Sequence, residues 1–206
     1  VKRVYEENWG KYPPSHDFLH VKRVLRLAEV IGREEGLNSE EMVALRLAVY
    51  LHDIAIALTG QKKGHAEKSA RIAEEILKEY GVSGETIRCV CEAIREHSWN
   101  LNRKPSSRVS AVLQDADRLD ALGMIGFARL YTYGSYLNRR FYHEEEPTPV
   151  TRRPLENVYT LDHVYTKLIH IPERMNTRTG KIIAEKRLNR LKKAVEDMIK
   201  EISGKD

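Results

Sequence analysis

The stretch Ala44-Leu45-Arg46-Leu47-Ala48-Val49-Tyr50-Leu51-His52-Asp53 decides the fold. Arg46 apart, its first eight residues are apolar or aromatic, so no polar face is left to meet water. A helix of this kind is buried at the centre of its domain. It ends by carrying a titratable pair, His52-Asp53, into the interior. Ser39 reads as the cap of this helix, which the pattern extends from about Glu40 to Ala55.

Upstream, a helix is predicted from about Asp17 to Glu35, with Val24, Leu27 and Ile31 at helical spacing and Gly36 as the stop. His20 lies four residues before Val24 and seven before Leu27, which places it on the same inward face. Downstream, Gly60 to Gly64 forms a polar loop carrying Lys62 and Lys63. A helix from about His65 to Tyr80 follows, closed by Gly81. Ser83 caps another that ends near His97, with Ile87, Val90, Cys91, Ile94 and His97 on one stripe. A fifth starts near Ser107 and carries Val109, Val112, Leu113, Ala116 and Leu119. Gly123 and Gly126 introduce an aromatic stretch with Tyr131, Tyr133 and Tyr136. Periodicity fails from Arg139 to Asn157, where Glu144 to Glu146, Pro147, Pro149 and Pro154 mark a long irregular segment, functional or mobile. Two further helices are predicted, about Leu161 to His170 and Thr179 to Ile202. No segment alternates as a strand pair would, so the fold class is all-α.

The 206 residues suffice for one domain with a sizeable core. At 41% hydrophobic and 32% charged, the chain is globular rather than disordered. No apolar run reads as long enough to cross a bilayer, and Val1-Lys2-Arg3-Val4-Tyr5 has no apolar leader core, so no membrane association and a cytoplasmic location are expected. Cys89 and Cys91 point about 200° apart on a helix and should neither bridge nor share a metal; sparse cysteine fits a reducing compartment. The net charge of +5 suits an anionic ligand. Basic residues are interspersed with acids over most of the chain, and only Tyr131 to Arg140 faintly resembles a nucleic-acid stripe, so nucleic acid is disfavoured as a partner.

The inward polar residues His20, His52, Asp53, His65, His97 and Asp117 matter together. One buried histidine is ordinarily a hydrogen-bonded core residue. Burying several titratable groups costs several kcal/mol unless a partner such as a shared cation balances them. Imidazole nitrogen and carboxylate oxygen suit a divalent transition metal (Fe, Mn, Ni or Zn), with Mg admissible. Helix neighbours differ by about 100°, so His52 and Asp53 can turn to one ion only where the helix ends.

This ordered set resembles the HD superfamily of metal-dependent phosphohydrolases, with its pattern H…HD…D. The first His matches His20 in His16-Asp17-Phe18-Leu19-His20, the doublet matches His52-Asp53, and the last Asp matches Asp117 in Gln114-Asp115-Ala116-Asp117-Arg118-Leu119-Asp120. That string and Met175-Asn176-Thr177-Arg178-Thr179-Gly180 look like one bacterial and archaeal branch of the superfamily. The resemblance implies a single HD-type helical bundle over residues 1–206, with a core of about 15–126 and a C-terminal helical extension of about 158–203. It selects Asp117 over Asp115 and Asp120 as ligand, although Asp120 is one turn on and could share its face. His65 and His97 stand where dinuclear members carry two extra histidines, so one or two ions are expected, with Asp53 as the bridging ligand of a two-metal site. Ile54-Ala55-Ile56-Ala57-Leu58 stands where mononuclear nucleotidases carry acids after the doublet, and the GYP signature of cyclic-dinucleotide phosphodiesterases is absent.

The implied function is hydrolysis of a phosphomonoester, phosphodiester or phosphoanhydride of a small, nucleotide-like substrate by metal-activated water. The alternative is a catalytically silent metal- and nucleotide-binding regulatory module. Asp53, His65, His97 and Arg118 are the expected catalytic residues, and Lys62, Lys63, Arg118 and Lys167 the candidates for holding phosphate. His163 and Arg174 are further candidates to close the pocket, and a homodimer is left open.

Overall fold

The computed structural model describes residues 1–205 and divides into two compact units. The first comprises Val1–Arg118 and Asn176–Gly180; the second comprises Leu119–Met175 and the residues from Lys181 onward. Among the described residues there is no β-strand, only an isolated bridge between Arg140 and Tyr159, so the fold is all-α.

The first unit contains α1 (Lys2–Glu7), α2 (Phe18–Glu34), α3 (Ser39–Leu51), α4 (Ile54–Thr59), α5 (His65–Glu79), α6 (Gly84–Glu96) and most of α7 (Arg108–Leu119). Helix α2 begins where the Asp17 carboxylate accepts the His20 N–H at 2.8 Å, satisfying one of the free donors of a helix start. Its inward face buries His20, Val21, Val24, Ala28 and Ile31. Helix α3 packs between α2 and α6, and α5 pairs with α6.

Three expectations about this region are corrected. The cap of α3 is Asn38, not Ser39: Asn38 accepts the Glu41 N–H at 2.9 Å while the Glu41 carboxylate accepts the Asn38 N–H at 2.8 Å. That reciprocal box satisfies two groups where a serine one residue later would satisfy one. The single helix expected from Glu40 to Ala55 is two, because Asp53 leaves the helical region at φ −111° and ψ 13°. The N–H of Ala55, freed by that break, finds the Ser69 hydroxyl on α5 at 3.1 Å. Together α3 and α4, Ser39–Thr59, are long and apolar enough to cross a membrane by length and composition alone, contrary to the sequence expectation. Since 67% of the most apolar window is buried inside the protein and the doublet interrupts it, it is a core element.

The second unit contains α8 (Gly123–Tyr136), α9 (Asp162–Thr166) and most of α10 (Arg178–Ile202). The aperiodic segment 139–157 is tied down by polar contacts. Arg152 forks onto the buried Asp162 carboxylate at 2.6 Å on each side and lies 5.3 Å from the centre of the Tyr159 ring. Asp162 also accepts the Leu155 N–H at 2.7 Å. The helix expected from Leu161 to His170 is only Asp162–Thr166, followed by tight turns at Leu168–His170 and Pro172–Arg174. Lys167 departs to φ −136°, and Pro172 has no N–H to extend the ladder.

Candidate metal centre

Each candidate ligand stands where a helix starts, stops or breaks, or on an inward face. His20 lies in the first turn of α2, set by the Asp17 cap. His52 closes α3 and Asp53 opens α4, so the break turns two adjacent side chains to one place. Asp53 receives no capping bond from α4, which leaves its carboxylate to face the histidines. His65 is the first residue of α5, His97 closes α6, and Asp117 is on α7. His20, His52, Asp53 and His97 are at most 2% exposed, and His65 is buried too.

The two oxygens of Asp53 face different histidine pairs. Oδ2 lies 3.8 Å from His20 Nε2 and 3.6 Å from His52 Nε2. Asp117 Oδ1 completes that group, 3.4 Å from His20 Nε2 and 4.0 Å from His52 Nε2. Oδ1 lies 3.3 Å from His65 Nε2 and 3.6 Å from His97 Nε2. Ligand atoms bound to one ion at about 2.0–2.2 Å stand about 3 Å apart at a right angle and just over 4 Å apart when opposite, so these separations fit ligands of shared ions. His20 with His52 and Asp117, and His52 with Asp53 and His97, each bring their donor atoms within 4.8 Å of one another.

Ring orientation fits the same reading. Nδ1 of His52, His65 and His97 lies 2.7, 2.8 and 2.7 Å from the carbonyl oxygens of Val49, Lys62 and Ile94. A carbonyl only accepts, so each Nδ1 carries the proton and each Nε2 is the inward donor atom, the arrangement that orients metal-ligating histidines. The inward nitrogens meet in pairs, His20 with His52 at 3.4 Å and His65 with His97 at 3.1 Å. Burial pushes the His52 pKa down to about 4 and lowers that of His65. Burial also opposes charge on His97, but the adjacent Asp53 outweighs it and raises the ring. Burial opposes ionisation of Asp53 and Asp117; the facing histidines prevail and hold both carboxyls well below the usual range. Two carboxylates among inward imidazole nitrogens form a donor set that attracts a cation.

The other predicted residues fall in different surroundings. Lys62 and Lys63 are exposed in the loop before His65. The Arg118 guanidinium is buried 5.6 Å from the centre of the Trp99 ring and donates to Gln114 Oε1 at 2.8 Å. Lys167, His163 and Arg174 belong to the second unit, where His163 Nδ1 meets Glu156 at 2.9 Å. Asp120 is buried and ion-paired with Arg129. Asp115 accepts backbone N–H groups from Asn176 and Thr177 at 2.9 and 2.8 Å and the Thr177 hydroxyl at 2.7 Å, which accounts for that C-terminal motif. Sequence reading missed His16, whose Nδ1 lies 3.0 Å from Asp53 Oδ2. Its signal was a second histidine four residues before His20 across a helix cap.

If these groups hold an ion, a fitting metal stabilises the fold by mass action. Mn²⁺ or Ni²⁺ at a hundred times its Kd should add about 2.7 kcal/mol, a rise in melting temperature of about 5–10 °C for a chain of this size. Differential scanning fluorimetry of chelator-stripped protein measures it; no shift with Mn, Fe, Ni or Zn would count against the centre.

Residues 17–122 match the HD domain family. The Bacillus subtilis protein YpgQ is 29% identical over 196 residues, 93% of this chain and 87% of that one. A crystal structure of an HD-superfamily hydrolase from Bacillus thuringiensis superposes with a TM-score of 0.71 at 30% identity, covering 97% of this chain and 91% of that chain. The structure of Bacillus subtilis YpgQ in complex with ADP superposes with a TM-score of 0.72 at 25% identity, covering 99% and 98%.

Proposed function

The chain belongs to the HD domain family, and we propose that it is a metal-dependent phosphohydrolase that cleaves a phosphoester or phosphoanhydride bond of a nucleotide-like substrate. The observation that carries this reading is the partition at Asp53, with one oxygen toward His20 and His52 and the other toward His65 and His97. On this reading His20, His52, Asp53 and Asp117 hold one ion, and His65, His97 and the second oxygen of Asp53 hold another. Ions held there supply Lewis acidity, making water more acidic and offsetting charge on phosphoryl oxygens.

The protein's own part is orientation. The carbonyls of Val49, Lys62 and Ile94 hold three rings in place, so little reorganisation is needed when substrate arrives. Lys62, Lys63 and Arg118 are assigned to the phosphate; an ammonium or guanidinium offers the charge-assisted bonds a phosphate needs. The nucleotide-like substrate class is supported by the ADP in the YpgQ complex, a protein similar over nearly the whole chain. The test is a panel of nucleoside mono-, di- and triphosphates and a chromogenic phosphodiester, assayed anaerobically with Mn, Fe, Ni, Zn or Mg restored. Turnover that needs one of these metals is expected. Metal and ADP binding with no turnover on any substrate would favour the regulatory module.

Nuclearity has its own test. His65→Ala with His97→Ala should leave one ion bound through His20, His52, Asp53 and Asp117, while kcat falls by about 10²-fold or more, several kcal/mol of charge stabilisation being at stake. Wild-type metal content together with the wild-type rate would make the site mononuclear and the two histidines structural.

A further inference from the structure

We propose that His16 is a positioning residue of this centre: its Nδ1 donates to Oδ2 of Asp53 and fixes how that carboxylate presents its two oxygens to the two histidine pairs. The inference rests on the metal-binding reading above and adds a residue to it.

His16 differs from the other histidines in which nitrogen faces inward. His52, His65 and His97 direct Nδ1 to a carbonyl of the preceding turn and turn Nε2 to the cluster. His16 turns Nδ1 itself to the cluster, 3.0 Å from Asp53 Oδ2. A carboxylate serving as a ligand offers only acceptor oxygens, so at this 3.0 Å contact the proton belongs to His16 Nδ1.

The backbone presets this contact. His16 ends the tight turn Pro14–His16, with Pro13 before it and the capping Asp17 after it. Its ring stands edge-on to His20 with centroids 5.6 Å apart, and its side chain is 14% exposed.

Asp53 needs such a partner. The terminal torsion of an aspartate is broad, and Asp53 has no capping bond from α4 to restrict it. A carboxylate expected to serve two ligand groups at once must keep both oxygens in place. A donor fixed to one oxygen restricts that rotation; His16, His20 and Asp53 bring their donor atoms within 4.8 Å of one another, and a proton on Nδ1 is what makes His16 a partner of Asp53 rather than a further ligand. Losing a residue that orients a ligand typically weakens metal affinity by about 10–100-fold.

The test uses the full chain, stripped of metal, as wild type, His16→Ala, His16→Asn and His16→Gln, with folding checked by circular dichroism. Mn²⁺ affinity is read by electron paramagnetic resonance titration, and kcat and KM on the best substrate of the panel are measured alongside. His16→Ala should bind its tighter Mn²⁺ about 10–100-fold more weakly, with the loss in kcat rather than KM. His16→Asn, whose amide N–H lies near the place of Nδ1, should recover to within about threefold of wild type. His16→Gln, whose amide reaches toward the place of Nε2, should behave like His16→Ala. Unchanged affinity in His16→Ala, or equal affinities in the Asn and Gln variants, would overturn the proposal. Wild-type protein that takes up no Mn²⁺ or other transition metal would overturn the metal reading and this inference with it, a pattern distinct from a loss confined to the variants.

Discussion

Asp53→Ala should leave a folded protein that, on the proposed metal-binding reading, retains no metal after dialysis and turns over at least about 10³-fold more slowly. Among the described residues, Asp53 is the one carboxylate whose two oxygens face both histidine pairs. Removing it takes the anionic member from one group and leaves His20, His52 and Asp117 as the other. A loss of about 4 kcal/mol of metal-derived stabilisation corresponds to about 10³-fold in rate. Asp53→Asn is the sharper comparison, since it keeps the volume and removes the charge, and it should lose metal nearly as completely. His52→Ala should likewise abolish both metal and activity. Metal content by plasma mass spectrometry, with kinetics on the same samples, measures these effects; full occupancy in Asp53→Ala or His52→Ala would sink the assignment.

The second large effect concerns stability. Asp115→Ala should lower the unfolding free energy by about 3–5 kcal/mol, read as a lower denaturant midpoint and a melting temperature reduced by on the order of 10 °C. Asp115 is fully buried, and burial pushes its carboxyl pKa up, while the Asn176 and Thr177 donors pull it back. Its oxygens accept from the Asn176 N–H and side-chain amide, both at 2.9 Å, and from the Thr177 N–H and hydroxyl at 2.8 and 2.7 Å. Hydrogen bonds to a charged group are worth roughly 1.5–3 kcal/mol each, and water reaching the exposed Asn176 and half-buried Thr177 offsets only part of their loss. Gly180 adds a check, because a Cβ there would collide with the same carboxylate, so Gly180→Ala should destabilise through that contact. An Asp115→Ala midpoint within error of wild type would mean that the 176–180 segment is held by other contacts.

The all-α class was legible in the residues alone, because the apolar helix ending in His52-Asp53 and the helical spacing around His20 and His97 are local patterns. The sequence also put the candidate ligands forward, since a buried helix that ends in a titratable pair calls for a shared partner, while the choice of Asp117 over Asp115 and Asp120 came from the resemblance to the HD superfamily. Elsewhere the local signals were ambiguous. Asn38 and Ser39 are both good caps, and only the reciprocal bond with Glu41 distinguished them. Asp115, Asp117 and Asp120 share one short string, and tertiary partners sorted them: Asn176 and Thr177 for Asp115, His20 and His52 for Asp117, and Arg129 for Asp120, just past the end of α7. The partition of Asp53 between two histidine pairs, and the approach of His16 to one of its oxygens, were decided by the tertiary structure alone. Helix periodicity specifies which face a residue takes, but the sub-ångström placement of a carboxylate depends on where four other helices end around it.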